Sequence, residues 1–335
     1  MKVAVFGYGQ WGRNLVRVFY EMGVLGALCD SRPEALADAQ KRFHGLRLTT
    51  DADALMADAE VDAAVIATPA ETHFQLAKTA LEAGKDVFVE KPLALRSSDA
   101  EALGRLAKSR KRILMVGHLL RYHPAIVRLK EMCIAGELGR LEYAYSNRLN
   151  LGRVRREENA LWSFAPHDVS VLLHLFDALP LQVSAVGGTY LQPNVPDVSV
   201  SNLLFDRGAR AHIFVSWLHP FKEQKLVVVG EKKMAVFDDL NPVAKLMIFE
   251  KNIEMVDGNF TATRPEGTAV RIEATEPLRR ECEHFLDCLR NRHAPQTDAQ
   301  EGLRVLRVLE ACQRSLTLNG EPVALSGSRE ETVHA

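Results

Sequence analysis

Three groups of residues in this chain have types and spacings that could do chemistry. The first is Gly7-Tyr8-Gly9-Gln10-Trp11-Gly12, a G-x-G-x-x-G run. In such a run one glycine allows a tight turn, one lets backbone approach a diphosphate, and one lets a helix pack on a strand. Asp30 comes after it near the spacing, about 20 residues on, at which a carboxylate meets the ribose hydroxyls of a dinucleotide. A carboxylate there repels a 2′-phosphate, which favours NAD over NADP. Ser31 and Arg32 leave a hydroxyl and a guanidinium that could receive that phosphate instead. The second group is Glu90-Lys91-Pro92, which puts a lysine where an apolar run meets a proline. X-Pro bonds adopt cis at low cost. The third is the stretch 147–159, where Arg148, Asn150, Arg153, Arg155 and Arg156 precede Trp162. Guanidinium forks match phosphate oxygens bidentately. Glu157 and Glu158 leave open the alternative of a solvated, self-neutralised loop. Arg110-Lys111-Arg112 reads as a solvated turn between helix and strand.

These groups need elements to hold them. Short apolar runs alternate with amphipathic stretches over the first 120 or so residues, the pattern of a parallel sheet wrapped by helices. Strands are predicted at 2–6, 24–30, 61–67, 86–90 and 113–117. Helices are predicted at 11–22, 33–43, 98–108 and from an N-cap at Thr72 to Ala83. After Pro124 a helix (125–135), a strand (141–149) and a helix (165–179) lead into short alternating strands between 183 and 237. Two amphipathic helices, 276–290 and 298–315, close the chain before a tail at 327–335. The fold class is therefore an α/β Rossmann dinucleotide-binding domain, 1–120, followed by an α+β domain, 121–326, with a large, mainly antiparallel sheet.

Composition limits the choices. With 335 residues, 47% hydrophobic and 25% charged, the chain reads as an ordinary globular protein of two domains. A formal net charge of −1 supplies no long-range pull toward nucleic acid or an anionic membrane. The five cysteines are odd in number and contain no C-x-x-C pair, so neither a disulfide framework nor a metal site is expected. No apolar run approaches the ~20 residues of a membrane span, and strand turns into glycine loop within seven residues of Met1. A cytoplasmic location is expected.

Gly7-x-Gly9-x-x-Gly12, Ala67-Thr68-Pro69 with His73, Glu90-Lys91-Pro92 and Gly117-His118-x-x-Arg121 occur in one order. As a set they resemble the glucose–fructose oxidoreductase / inositol dehydrogenase / MocA (Gfo/Idh/MocA) family over nearly the whole chain. The resemblance implies an NAD-dependent dehydrogenase acting on a secondary hydroxyl. It carries cofactor contacts to Gly7, Gly9, Gln10, Trp11, Gly12, Asp30, Ser31, Arg32, Thr68, Pro69, His73, Glu90, Lys91, His118 and Arg121. It carries catalysis to Lys91 and to His167 of the second domain. Family members often have aspartates four residues before and three after this histidine; here those places hold Ser163 and Ser170, and Asp168 is the nearest acid. The stretch 147–168 is similar to members that act on nucleotide sugars. That implies substrate contacts at Arg148, Asn150, Arg153, Arg156, Trp162, His167 and Asp168 besides Lys91. It also implies oxidation at C3 of UDP-N-acetylglucosamine or its uronate in lipid A-type biosynthesis, with a pyridoxal-phosphate aminotransferase taking the ketone. Inositol or free-sugar oxidation and an inactive NAD-binding regulator are the alternatives. A homo-oligomer, dimer or tetramer, is implied through the open face of the second sheet, and apolar pairs such as Val227-Val228 on its strands agree.

Overall fold

The computed structural model describes residues 1–325 apart from Arg153, Glu157 and Arg264. The tail at 327–335 and Arg153 therefore lie outside the described residues. The chain divides into two compact units, Met1–Tyr122 with Thr275–Leu306, and His123–Ala274 with the remainder from Arg307.

In the first unit β1 (Val3–Phe6), α1 (Gly12–Glu21), β2 (Leu25–Cys29), α2 (Pro33–Arg42), β3 (Arg47–Thr49) and α3 (Ala52–Ala57) form one half. The other half is β4 (Ala63–Ile66), α4 (Ala70–Glu82), β5 (Asp86–Glu90), α5 (Ser97–Arg110) and β6 (Leu114–Gly117). The strands form one parallel sheet in the order β3-β2-β1-β4-β5-β6. Every residue of β1, β4, β5 and β6 is buried, which is why these strands read as unbroken apolar runs. The order reverses direction between β1 and β4, and ligands bind at such switch points, beyond the carboxyl ends of the strands. The three residues of β3 and six of α3 fall below the length at which hydrophobic periodicity registers, and sequence reading passes over both.

The second unit opens with α6 (Pro124–Ile134), β7 (Leu141–Leu149) and α7 (Ala160–Phe176). Next come β8 (Gln182–Gly188), β9 (Val198–Leu204), β10 (Arg210–Ser216), β11 (Glu223–Gly230), β12 (Lys233–Asp238) and β13 (Leu246–Glu250). The hairpin β14 (Ile253–Val256) and β15 (Asn259–Ala262) and the short β16 (Thr268–Ala269) complete this run. Past α8 (Pro277–Asn291) and α9 (Ala299–Thr317), β17 (Val323–Ala324) joins the same sheet. Its order is β16-β13-β12-β11-β7-β10-β9-β8-β17. Among the described residues β7 and β10 pair in parallel and the other neighbours antiparallel. α7 packs on one face of this sheet, against β7, β9 and β10. Tyr145 of β7 stacks on His212 of β10, centroids 5.3 Å apart, with Tyr143 beside them.

Among the boundaries that differ from the sequence expectation, two concern the second unit and the core of the first. α7 begins at Ala160, not Ala165, because Asn159 caps it by accepting a hydrogen bond from the Trp162 N–H at 3.1 Å. Pro166 lies inside the helix. The closing helices, expected wholly in the second domain, are divided: Thr275–Leu306 belongs to the first unit. There Leu278, Cys282, Phe285, Leu286 and Leu289 of α8 complete the core around Leu15, Phe19 and Phe88. Phe285 meets Phe88 edge to face at 5.6 Å. An amphipathic helix shows that it has an apolar face but not which surface takes it.

No helix among the described residues is long and apolar enough to cross a membrane. Phe285 is fully buried, so Phe285→Ala is expected to lower unfolding stability by about 3–5 kcal/mol. Urea denaturation checks this, and a loss below about 1 kcal/mol would remove α8 from the core of the first unit.

Candidate active site

The glycine loop is built by close approach. Gly7 has φ +100°, and a Cβ there would lie 2.6 Å from the Ala67 carbonyl oxygen. A Cβ on Gly12 would lie 2.1 Å from the Gly7 carbonyl oxygen, so only glycine lets α1 start this near β1. At Gly9 a Cβ would meet nothing within 4 Å. That is open space over bare backbone, at the N-terminal end of a helix whose dipole favours a diphosphate. The three glycines thus do three different jobs, and they fit a dinucleotide.

Asp30 closes β2, nearly buried, and accepts from the Tyr8 N–H at 2.7 Å and the Arg32 N–H at 2.9 Å. The Arg32 guanidinium donates to both of its oxygens at 3.0 Å. Burial opposes its charge, but Arg32 and the two backbone donors outweigh that and hold the carboxyl below the usual range. Asp30 is therefore a fixed anion, suited to ribose hydroxyls. Ser31 and Arg32 are exposed beside it, and Gln10 is exposed on the loop.

Beyond β4, the Thr72 hydroxyl donates to the Pro69 carbonyl at 2.8 Å and faces the Thr68 hydroxyl at 2.6 Å. The helix already starts at Ala70, so Thr72 is not its cap. His73 is buried between two carbonyls, Pro92 O 2.7 Å from Nδ1 and Thr68 O 2.9 Å from Nε2. It ties the loop after β4 to the turn after β5. Burial pushes its pKa down, against the pull of the two carbonyls.

At the end of β5 the Glu90 carboxyl is buried, and the Trp11 indole N–H donates to it. The Lys91 N–H donates to its second oxygen at 3.3 Å. A Cβ on Gly117 would sit 3.0 Å from the Glu90 carboxyl carbon, so glycine at the end of β6 makes room for that group. Burial pushes the Glu90 pKa up to about 7, while Trp11 and Lys91 pull the other way. Lys91 itself is half-buried, and the Lys91–Pro92 peptide is cis. Glu281 of α8, which sequence reading missed, is fully buried with neither oxygen hydrogen-bonded. Burial and then the charge of Glu90 raise its pKa well above the usual value, so it is a neutral acid. A lone Glu on an amphipathic helix reads as solvated, and nothing in the sequence marks it as buried.

His118 and Arg121 are buried and face Glu301 of α9, at 3.3 Å and 3.1 Å. Burial lowers both pKa values, with Glu301 opposing. The two residues brace the end of β6 from within the first unit.

In the second unit Arg148 of β7 donates to Asp168 of α7 through Nε at 2.8 Å and Nη2 at 3.1 Å. Ser146, two residues earlier on the same face of β7, donates to Asp168 at 2.6 Å. Burial works against the Arg148 charge, but Asp168 overcomes it and raises the pKa. Arg148 thus presents its fork to Asp168, and Asp168 pins to β7 the helix turn that carries half-buried His167. Gln313 holds the start of that helix, its Oε1 accepting from Asn159 at 2.7 Å and the Trp162 indole at 3.2 Å. The Asn150 N–H donates to the Ser216 carbonyl at 3.0 Å. Arg155 and Arg156 are exposed, and Arg155 meets Glu158 at 2.8 Å. Among the described residues no three His, Cys, Asp or Glu side chains form a group that could hold a metal ion.

Residues 1–118 match the model of the oxidoreductase family with an NAD-binding Rossmann fold, and residues 126–236 match the GFO/IDH/MocA C-terminal domain. The chain is 29% identical over 307 residues to the UDP-N-acetylglucosamine 3-dehydrogenase of Acidithiobacillus ferrooxidans, covering 91% of this chain and 94% of that one. A solved structure of that enzyme superposes with a TM-score of 0.85 at 27% identity, covering 95% of this chain and 98% of the other. An inositol 2-dehydrogenase of Rhizobium meliloti is 26% identical over 303 residues, 87% of this chain and 89% of the relative. With its Rossmann unit, its mixed-sheet second unit and both family models matched in order, the chain belongs to the Gfo/Idh/MocA family of NAD-dependent oxidoreductases.

Proposed function

We propose that the protein oxidises the C3 hydroxyl of UDP-N-acetylglucosamine to the 3-keto sugar. The observation that carries this reading is the likeness to the Acidithiobacillus ferrooxidans enzyme, which runs through both units. Exposed Arg155 and Arg156, on the loop before α7, support it by offering guanidinium groups to a diphosphate. The corresponding uronate, and inositol as in the Rhizobium meliloti relative, are the substrates to run beside it. A 3-keto sugar is an electrophile suited to transamination, so a pyridoxal-phosphate enzyme would consume it. Self-association through the sheet face that carries Tyr143, Tyr145 and His212 would cover those rings.

NAD supplies the hydride acceptor, and the chain supplies position and proton handling. Oxidation of a secondary alcohol also releases the hydroxyl proton. His167, of a type whose reference pKa is near 6.5, is the base in this reading. Lys91, at the strand end that the switch-point rule assigns to ligand, stabilises the developing alkoxide or shares the proton. Asp168 and Arg148 are positioning residues, acting through the helix turn of His167.

These roles have measurable consequences. A positioned acid–base group contributes roughly 10²- to 10⁴-fold in rate. Lys91→Ala and His167→Ala should each lose activity on that scale while the dissociation constant for NAD changes by less than about threefold. Steady-state kinetics beside calorimetric titration of NAD reads both, and ordinary turnover by either variant would remove that residue from the chemistry. The assays need a carbonyl trap, because alcohol oxidation by NAD runs uphill. A second comparison separates the arginines. Arg156→Ala should raise KM for the nucleotide sugar roughly 10- to 100-fold with stability unchanged, the loss of one charged hydrogen bond. Arg148→Met leaves Asp168 buried without its partner and should cost about 3–5 kcal/mol of stability. Turnover of inositol with no effect at Arg156 would transfer the assignment to the free-polyol class.

A further inference from the structure

We propose that Glu90 is the group through which the protein distinguishes oxidised from reduced cofactor. Its buried carboxyl releases a proton to solvent when NAD⁺ binds and keeps that proton when NADH binds.

Strand order places the two halves of the cofactor. Asp30 follows β2 directly and the glycine loop comes after β1, so the adenosine ribose and the diphosphate are assigned to that half of the sheet. The nicotinamide half is then left for the other side of the switch point, where β4, β5 and β6 end. Glu90 is the last residue of β5. Its carboxyl touches the glycine loop directly through the Trp11 indole and lies under Gly117 at the end of β6. A cofactor seated on that loop therefore comes to an ionisable group that is only 8% exposed.

The charges facing that carboxyl come from every side. On its own strand end Lys91 favours the ionised form, as does the Trp11 donor from the glycine loop. From α8, Glu281 and Cys282 are both within electrostatic reach of it; burial and then Glu90 raise the Glu281 pKa, and burial, Glu281 and then Glu90 raise that of Cys282. Beyond β6 Arg121 is paired with Glu301, and buried His118 lies 3.3 Å from the same carboxylate. Burial is the largest influence and pushes the Glu90 pKa up to about 7, against the pull of Trp11 and Lys91. A carboxyl poised there responds to one more charge. The ring of NAD⁺ carries a positive charge and favours the carboxylate, whereas the ring of NADH is neutral and does not. By linkage, NAD⁺ must bind more tightly as pH rises through the midpoint, because below it binding has to displace a proton. NADH brings the same diphosphate without the ring charge, so its affinity does not rise over that range.

The test is calorimetric titration of the full chain with NAD⁺ and with NADH at about pH 6, 7 and 8, in two buffers of different ionisation enthalpy. The expected result is net proton release on NAD⁺ binding near pH 7 and none with NADH. NAD⁺ affinity should tighten roughly fivefold from pH 6 to 8. Glu90→Gln keeps an oxygen for the Trp11 N–H and should abolish both the proton release and the pH dependence. Trp11→Phe, which removes a donor to the carboxylate, should move the dependence to higher pH, and it serves if Glu90→Gln folds poorly. Proton release that persists in Glu90→Gln, equal release with both nucleotides, or a flat NAD⁺ affinity in the wild type would each overturn the proposal.

Discussion

The contact between the first turn of α1 and the end of β1 governs the geometry of the whole cofactor half of this molecule. With a Cβ on Gly12 only 2.1 Å from the Gly7 carbonyl, no other residue type allows helix and strand to sit this close. That closeness sets the direction of α1 and leaves the Gly9 backbone bare. It also turns the Trp11 indole toward Glu90 on a strand two places away in the sheet. A shift of the helix by even an ångström would open the diphosphate cradle and break the indole bond together. The cofactor site and the acid at the end of β5 are thus consequences of one packing constraint.

Around that constraint the charged groups sort into two kinds. Some are fully engaged in holding backbone. Arg292 pairs with Asp86 at 2.6 Å, at the start of β5, and His73 joins the loop after β4 to the turn after β5. Arg148, Asp168 and Ser146 do the same for α7 in the second unit. Removing one member of such a set deprives a buried group of its partner, so these groups are fixed in position. Glu90 and Glu281 are of the other kind. They are buried acids whose protons are decided by surroundings, and a neutral acid beneath a strand end is stable only because it carries no charge there.

Much of the fold could be read from the sequence because it depends on local pattern. Strands buried on both faces appear as apolar runs, and the glycine spacing fixes where β1 hands over to α1. Apart from the short β3 and α3, what sequence left open depends on partners distant in the chain. α8 shows an apolar face, but only the three-dimensional packing reveals Phe88 and Leu15 as its seat. The helix expected from 165 starts at Ala160, on the Asn159 cap and on Gln313, some 150 positions later. Site residues divide in the same way. Gly7, Gly9, Gly12 and Asp30 carry their chemistry in spacing alone. Arg148 belongs in sequence to an arginine-rich stretch, yet strand alternation sends it with Ser146 to the face that α7 covers, and its role is decided there.

This division bears on where substrate choice can reside. Residues that build the framework cannot be varied freely, since each is tied to a second residue whose burial depends on it. Arg148 is in that position, largely buried against Asp168, whereas Arg155, which meets Glu158, and Arg156 are exposed to solvent on a loop that begins beyond β7. An exposed loop residue can be exchanged at little cost in stability, because water replaces most of what it touches. Oxidoreductases of one fold can then differ in the alcohol they accept while keeping the glycine loop, the strand-end lysine and the bracing pairs unchanged. Under the proposed function, the framework sets the chemistry and the exposed cations of the loop before α7 set the choice of substrate.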